Sequence, residues 1–153
     1  MVSRSWRGPQ VALGSELHDI GKMSIPDAIL NKPGPLDDRE REFRRRHTVI
    51  GERILQADAP LAHVVPVARS RHECWDGRGY PDGLVGDQIP LAARVVAVCD
   101  AYQAMIADRP YRRGCSTAEA LAELLRCRGA QFDPAVVDTF LAVVSREDAQ
   151  KAA

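Results

Sequence analysis

The sequence lacks an excess of charge of either sign, since 21 basic residues balance 21 acidic ones over 153 residues and the formal net charge is zero. General nucleic-acid binders usually carry a basic excess, so this balance argues against that class, although a small anionic ligand needs only a few local cations. No apolar run approaches the ~18 residues of a membrane span, and no apolar segment follows the basic residues near the amino terminus as in a signal peptide. We therefore expect a cytoplasmic protein without a membrane segment.

Paired cysteines are also missing from the sequence. The four cysteines are Cys74, Cys99, Cys115 and Cys127, and none of them forms a C-x-x-C motif. Zinc ribbons and thioredoxin-like redox sites are therefore disfavoured, and the reduced thiols of a cytosolic protein are the simpler account. With 45% apolar and 27% charged residues, the chain has the composition of a globular domain, and its length suits one domain with a sizeable core.

Helical signals are present where strand signals are missing. Asp37 with Glu40, and Ser116 with Glu119, have the spacing of a capping box. Apolar residues recur at steps of three and four, as on one face of a helix, and no segment shows the sustained alternation of a half-buried strand. The predicted helices cover about 10–19, a second from Asp37 through a stripe of Phe43, His47, Ile50 and Ile54, then 60–75, 90–107, one capped by Ser116, and one capped by Asp133 with Pro134 in its first turn, with a glycine-rich loop at 76–88.

Three of the four histidines stand where a simple core would not place them. His18 and Asp19 end an apolar stretch, His47 interrupts an apolar stripe, and His72 precedes Trp75 and the glycine-rich loop. Taken singly, each has a simpler interpretation, namely a histidine beside a capping aspartate or a hydrogen-bonded core histidine. Taken together, they are candidate metal ligands.

Asp100 is the strongest single indication of a bound cation. It lies within residues 95–102, a stretch too apolar to face solvent all round. A buried carboxylate without a partner costs several kcal/mol, so we expect it to meet either a metal ion or an arginine such as Arg94 or Arg109. Mixed imidazole and carboxylate ligation favours iron, manganese or zinc over calcium or magnesium.

Cations near these residues suggest a phosphate substrate. A cluster of two metal ions would activate water and hold a phosphodiester. Lys22, three residues beyond Asp19, could neutralise a phosphate oxygen. The three arginines at 44–46 are interpreted as the solvated face of their helix, although one of them could reach a phosphate.

The order of the motifs resembles that of HD-GYP domains, a branch of the HD phosphohydrolase superfamily. A lone His-Asp pair is a weak signal, but here it belongs to an ordered series over residues 17–140, about four-fifths of the chain. The resemblance implies an all-α HD-domain bundle of about five to seven helices that hydrolyses cyclic di-GMP to pGpG or GMP in bacterial signalling. The motifs that carry it are LHDIGK at 17–22, IPDAIL at 25–30, KPG at 32–34, HTVIG at 47–51, HECWDGRGYPDGL at 72–84, IPL at 89–91, Asp100 and DRPYR at 108–112.

The resemblance also implies a role for each matching residue. The metal ligands would be His18, Asp19, His47, His72 and Asp100, with Asp19 bridging two ions. The catalytic residues would be Lys22 and Asp19, and the substrate-binding residues would be Lys22, Arg71, Gly79, Tyr80, Pro81 and Arg109. The cofactor would be one or two divalent transition-metal ions, either iron, manganese or zinc. The HD-GYP-like domain would span 17–145, between an amino-terminal segment at 1–16 with a partial first helix and a tail at 146–153.

Two departures from the family pattern bear on activity. Arg71 stands where the family usually has a histidine, and arginine cannot ligate a metal because it stays protonated. We expect either that Arg71 turns away to solvent or to a carboxylate such as Glu73 or Asp76, or that it points inward as a phosphate-binding cation in place of the second ion. The family usually has more helix upstream, often with another histidine ligand, but the 17 residues before His18 include no histidine, so we expect part of the usual amino-terminal helices to be missing.

These departures keep alternatives to the enzyme open. The chain could be an impaired HD-GYP-like signalling module that binds a cyclic dinucleotide or a partner protein, such as a GGDEF-type cyclase or an upstream sensor or receiver domain. A homodimer is a further predicted assembly. A third alternative is an HD phosphohydrolase with a different phosphate substrate.

Overall fold

The regular structure is entirely helical in the part of the chain that the computed structural model describes, residues 8–108 and 113–151. Strand-like pairing there is limited to two isolated bridges, so the predicted all-α class is confirmed. α2 is only four residues long, and the seven longer helices agree with the predicted number. The helices are α1 (Gly8–Leu17), α2 (Asp27–Leu30), α3 (Asp38–Arg45), α4 (His47–Gln56), α5 (Val65–Ser70), α6 (Leu91–Ile106), α7 (Thr117–Arg126) and α8 (Pro134–Lys151), with 3-10 turns at Ile20–Ser24, Ala59–Leu61 and Gly86–Gln88.

Local capping fixes where several helices begin. The Asp37 carboxylate accepts a hydrogen bond from the Glu40 amide at 2.8 Å, and the Glu40 carboxylate accepts one from the Asp37 amide at 2.9 Å. Ser116 and Glu119 form the same reciprocal pair before α7. α8 begins at Pro134, where the missing amide proton costs no helical hydrogen bond. These starts agree with the predictions from the sequence.

The predicted second helix is two helices. α3 ends at Arg45 and α4 begins at His47, with a bend at Arg46. The Arg46 amide donates to the Phe43 carbonyl at 3.1 Å, the i to i−3 contact of a tightened helix end. The predicted stripe therefore does not form one continuous buried face, and Ile54 is 38% exposed.

The predicted third helix at 60–75 is also wrong. The structure has a 3-10 turn at Ala59–Leu61 and then the short α5, Val65–Ser70. Pro66 explains the interruption, because a proline inside a helix lacks the amide hydrogen and clashes with the carbonyl four residues earlier. The chain restarts as a new helix with Pro66 in its first turn.

α6 is the central helix, in contact with α1, α5, α7 and α8. α4 packs against α5 and against the 3-10 turn at Ile20–Ser24. The 3-10 turn at Ile20–Ser24, here called the HD turn, and α4, α5 and α6 are therefore neighbours. The candidate ligands lie on these elements or within two residues of their ends. The core clusters comprise Val98, Leu124, Phe132, Val136 and Val137, then Leu55, Val64, Val65 and Ala68, and finally Val67, Ala92 and Val96. Within the described residues, no helix combines the length and the apolarity needed to cross a bilayer.

Candidate metal centre

A close backbone contact brings the HD motif to α4. Gly21 is buried in the 3-10 turn that follows Asp19. A Cβ at this position would lie 1.9 Å from the His47 carbonyl oxygen and 2.6 Å from the Gly51 amide nitrogen. No side chain fits in that space. The glycine therefore permits the packing that places Asp19 beside His47.

Three side chains form a candidate metal-binding cluster. Ligand atoms of Asp19, His47 and His72 all lie within 4.8 Å of one another. The Nε2 atoms of His47 and His72 are 3.2 Å apart, and His47 Nε2 is 3.8 Å from Asp19 Oδ1. Two nitrogens that bind one ion at ~2.1 Å, in tetrahedral or octahedral geometry, stand about 3.0–3.4 Å apart. The two imidazoles therefore have the spacing that one shared ion requires.

Backbone contacts orient two of the histidine rings. His47 Nδ1 lies 2.6 Å from the Arg44 carbonyl oxygen. Because a carbonyl can only accept, Nδ1 carries the proton and Nε2 keeps its lone pair toward His72. His18 is held in the same way, with Nδ1 2.5 Å from the Ser15 carbonyl oxygen and Nε2 3.3 Å from Asp19 Oδ2.

The electrostatics of the cluster favour the protonation states of metal ligands. Burial lowers the pKa of His72 to about 3, and the charge of Arg71 adds to the effect. Burial and the same charge also lower the pKa of His47. For Asp19, burial raises the pKa, but hydrogen bonds from neighbouring side chains and the charge of Arg71 outweigh it, so the pKa lies far below its usual range. Neutral imidazoles and an ionised carboxylate are what a metal ion binds.

Arg71 points into the site. Its side chain is 4% exposed, and one terminal nitrogen donates to Asp100 Oδ2 at 2.7 Å. The other terminal nitrogen donates to Asp19 Oδ1. Of the two orientations expected from the sequence, the structure has the inward one, and the pairing with Glu73 or Asp76 is wrong. The guanidinium lies between two carboxylates that were predicted to be metal ligands.

Asp100 is more exposed than the sequence predicted. Its side chain is 47% exposed, whereas the apolar sequence around it indicated burial. The physical reason is its position on α6, two residues after the fully buried Val98, which is about 200° around a helix. The side chain therefore leaves the core and reaches the edge of the site.

Among the described residues, the cation beside Asp100 is not Arg94, one of the two arginines named from the sequence. Arg94 donates to Asp133 at 2.6 Å and to Asp87 at 2.9 Å, and Arg109 lies outside the described residues. Arg71 bonds Asp100 instead. Within 8–108 and 113–151, the cluster with mutually close ligand atoms includes neither His18 nor Asp100.

The predicted loop at 76–88 approaches the site through Tyr80. The Tyr80 ring stacks on His72 with centroids 4.8 Å apart and 13° between the ring planes. The Arg45 guanidinium lies 4.9 Å from the centroid of the Tyr80 ring, a cation–π distance. Gly79 lies close to the backbone before the loop, since a Cβ there would be 2.2 Å from the Cys74 amide nitrogen. The peptide bond between Tyr80 and Pro81 is cis.

Buried polar contacts hold this loop in place. The Glu73 carboxylate accepts hydrogen bonds from the amides of Asp82, at 2.7 Å, and Leu84, at 3.1 Å. On the outside, Arg69 forms a two-point ion pair with Asp82 and also bonds Glu52 of α4. Arg69 therefore attaches the loop directly to α5 and, through Glu52, indirectly to α4.

A cavity of about 450 Å³ opens beside the cluster. Its lining includes three arginines and two carboxylates, Glu73 and Asp100, so basic side chains outnumber acidic ones and the cavity suits an anionic ligand. Residues that line it include Arg45, Arg71, Arg78, His72, Gly79, Tyr80 and Asp100. A larger cavity of about 700 Å³, lined mainly by apolar residues of α6 and α8, contains none of the three clustered ligands.

Of the remaining predicted site residues, Lys22, Pro81 and Arg109, the described part of the chain places only Lys22 at the cluster. Lys22 donates to Asp19 Oδ2 at 2.5 Å, so it lies at the cluster with its side chain 37% exposed. Pro81 follows Tyr80 in the loop but does not line the cavity as Gly79 and Tyr80 do. Arg109 falls outside the described residues.

Sequence reasoning missed Arg45 and Glu73. Arg45 was interpreted as part of a solvated helix face, yet it lines the cavity and lies over Tyr80. Glu73 was named only as a possible partner of Arg71, yet it is 5% exposed and holds the loop backbone. A glutamate three residues before a glycine-rich loop, where amides lack helical partners, is the signal that could have indicated such a role.

Comparisons with known proteins agree with this geometry. A model of the HD domain family matches residues 3–136. The chain belongs to the HD domain family. It is 47% identical over 136 residues to a cyclic di-GMP phosphodiesterase of Pseudomonas aeruginosa, covering 88% of this chain and 33% of that relative. It is 44% identical over 133 residues to the cyclic di-GMP phosphodiesterase response regulator RpfG of Xanthomonas campestris pv. campestris, covering 86% and 35%.

Solved structures of HD-domain proteins show the same fold. A cyclic GMP-AMP specific phosphodiesterase of Vibrio cholerae superposes with a TM-score of 0.66 at 19% identity, over 92% of this chain and 40% of that one. An HD-GYP protein from Bdellovibrio bacteriovorus superposes with a TM-score of 0.65 at 20% identity, over 89% of this chain and 43% of that one. The HD-GYP resemblance and the HD-domain bundle are thus confirmed. The chain spans about a third of the length of the curated relatives it matches.

Proposed function

We propose that this chain is a metal-dependent phosphodiesterase that hydrolyses cyclic di-GMP, or a closely related cyclic dinucleotide, to pGpG or GMP in bacterial signalling. The observation that carries the proposal is the cluster of Asp19, His47 and His72, of which His72 lines a cavity together with three arginines. The names of the relatives support the substrate class, since they include phosphodiesterases of cyclic di-GMP and of 3'3'-cGAMP.

The donor set fits a divalent transition metal. His47 and His72 would hold the ion through Nε2 and Asp19 through a carboxylate oxygen, and this mixture of donors suits iron, manganese or zinc. His18 and Asp100, also proposed as ligands from the family resemblance, adjoin this cluster through Asp19 and Arg71. When bound, such an ion supplies Lewis acidity and a nucleophilic water near neutral pH.

The protein's own groups would bind and orient the diester. Arg45 and Arg71 line the cavity and would attract the phosphates. Arg45 would make the two-point contact that guanidinium groups form with phosphate oxygens, since the terminal nitrogens of Arg71 bond Asp100 and Asp19. Lys22 at the cluster would support the same phosphate. Tyr80 and Gly79 would shape the mouth of the cavity. Pro81 and Arg109 remain proposed substrate contacts on the family resemblance alone.

The test is hydrolysis by the purified chain after loading with Mn²⁺ or Fe²⁺. Cyclic di-GMP and 3'3'-cGAMP would be supplied separately, and products separated by chromatography. The expected result is metal-dependent release of a linear dinucleotide, lost in His47→Ala and retained in His63→Ala, because His63 is outside the cluster. Unchanged hydrolysis by His47→Ala, or none by the loaded wild type, would reject the proposal.

The impaired signalling module is the second candidate, favoured by the ion pairs of Arg71 with Asp19 and Asp100. A module of this kind would bind the cyclic dinucleotide in the same basic cavity without cleaving it. Calorimetric binding of cyclic di-GMP without any product over many hours would establish this alternative. The GGDEF-type partner, the upstream sensor or receiver domain, the homodimer and the cytoplasmic location remain predictions.

A further inference from the structure

Arg71 is fixed in place by the backbone as well as by its ion pairs. It is the C-cap residue that directly follows α5, and its amide donates to the Val67 carbonyl at 3.1 Å. His72 follows it directly, so one helix end delivers both an imidazole and a guanidinium to the site. A side chain that is 4% exposed at the end of a packed helix has little freedom to turn away.

The guanidinium uses the carboxylate oxygens that a second cation would need. One terminal nitrogen of Arg71 bonds Asp100 Oδ2 and the other bonds Asp19 Oδ1. The remaining oxygen of Asp19 accepts from Lys22. The charges of these two carboxylates are therefore matched by those of two basic side chains.

The cluster of His47 and His72 remains accessible to an ion in this arrangement. His72 lines the cavity, and the two Nε2 atoms already have the spacing of two ligands on one ion. Arg71 Nε, in contrast, is buried without a hydrogen-bond acceptor among the described residues. Such an orphaned donor is costly, and it is retained here because the terminal nitrogens are held by the two carboxylates.

We propose that Arg71 is a built-in replacement for a second metal ion, so that this site holds a single divalent ion at His47, His72 and Asp19. The proposal rests on the proposed metal-dependent function but concerns the number of ions, not the substrate. The fixed positive charge lies between Asp19 and Asp100, where it excludes a further divalent cation and presents a cation to the cavity.

The test is the metal content of the purified full chain after equilibration with Mn²⁺ and removal of unbound ion, measured by elemental analysis. The wild type should hold about one ion per chain, and Arg71→His, which exchanges the charge for an imidazole, should hold about two. Arg69→His is the matched control, because it changes an arginine two positions earlier that bonds Asp82 and Glu52 instead of the cluster. It should keep the wild-type count.

Electron paramagnetic resonance of the same samples gives a readout independent of counting. The wild type should show isolated Mn²⁺, and Arg71→His should show the coupled signal of two neighbouring ions. If Arg71→His fails to fold, Arg71→Met removes the charge with a similar apolar stem and should also bind more than one ion. Two ions in the wild type, or one ion in every folded Arg71 variant, would overturn the proposal. Neither result depends on hydrolysis, so failure of the proposed function would be seen separately.

Discussion

At the scale of single residues, Arg71 weakens binding of a second metal ion more through its positive charge than through the loss of a histidine ligand. Two unit charges ~4 Å apart interact by roughly 4 kcal/mol at an effective dielectric of ~20, and a divalent ion doubles that value. Repulsion of this size exceeds what one lost imidazole is expected to cost. The positive charge of Arg71 that repels a metal ion is attracted to the carboxylates of Asp19 and Asp100. This attraction explains why the Arg71 side chain points inward.

Gly21 offers a direct test of the contact between the HD turn and α4. Gly21→Ala should destabilise the fold by about 1–3 kcal/mol, the usual cost of overpacking, because its Cβ would overlap the His47 carbonyl. Gly51→Ala is the matched control on the opposite side of this contact, where a Cβ would meet the Gly21 amide nitrogen at 3.4 Å. Chemical denaturation would measure both variants. Equal stability of the two variants would contradict the described packing.

Tyr80 should contribute to substrate binding more than to folding. Tyr80→Ala removes the ring that stacks on His72 and faces Arg45, so we expect KM for the cyclic dinucleotide to rise several-fold. Tyr80→Phe keeps the stacking and should stay near the wild type. Thermal melting of both variants supplies the control. A large loss of stability in Tyr80→Ala with an unchanged KM would show that the ring serves the fold instead.

At the scale of secondary structure elements, local signals in the sequence predicted helix starts better than helix continuity. The Asp37–Glu40 and Ser116–Glu119 capping boxes could be recognised in the sequence because each involves residues only three apart. The bend at Arg46 was not predicted, because residues 38–50 contain neither a proline nor a glycine to mark it. Pro66, in contrast, is a visible signal of a helix break. The prediction of one helix through it gave too much weight to the apolar residues around it.

The attachment of the loop at 76–88 to α4 and α5 gives a prediction about Arg69. Arg69→Met should lower stability by about 1 kcal/mol, in the upper range for a partly exposed ion pair, and should raise KM because Asp82 and the loop lose their anchor. Arg126→Met is the control, since Arg126 forms an exposed pair with Glu123. Denaturation midpoints and KM would be measured for both. An effect of Arg126→Met as large as that of Arg69→Met would refute the anchoring role.

At the scale of the whole molecule, the sequence predicted which elements meet but not how every side chain points. The ordered motifs correctly indicated that Asp19, His47 and His72 come together. The direction of Asp100 and the choice of Arg71 as its partner depend on how α5 and α6 face each other. That tertiary relation leaves no pattern in the local sequence. The sequence analysis therefore named Arg94 and Arg109, which are nearer to Asp100 in the chain.

Because the three clustered ligands come from separate segments, metal binding should stabilise the whole domain. A ligand that binds only the folded state adds about 2.7 kcal/mol at a concentration 100 times its Kd. We expect Mn²⁺ to raise the melting temperature of the wild type by several degrees, and His72→Ala to lose most of that shift. Calorimetry with and without a chelator would measure it. An equal shift in His72→Ala would mean that the ion stabilises the protein elsewhere.

The location of the ion tests the central claim most directly. Crystals of the wild-type chain soaked in Mn²⁺ would be measured for anomalous scattering. The account predicts one strong peak about 2.1 Å from Nε2 of both His47 and His72, close to an Asp19 oxygen, with the Arg71 guanidinium still bonded to Asp100. A peak between Asp19 and Asp100 with Arg71 displaced, or no peak at the two histidines, would contradict it.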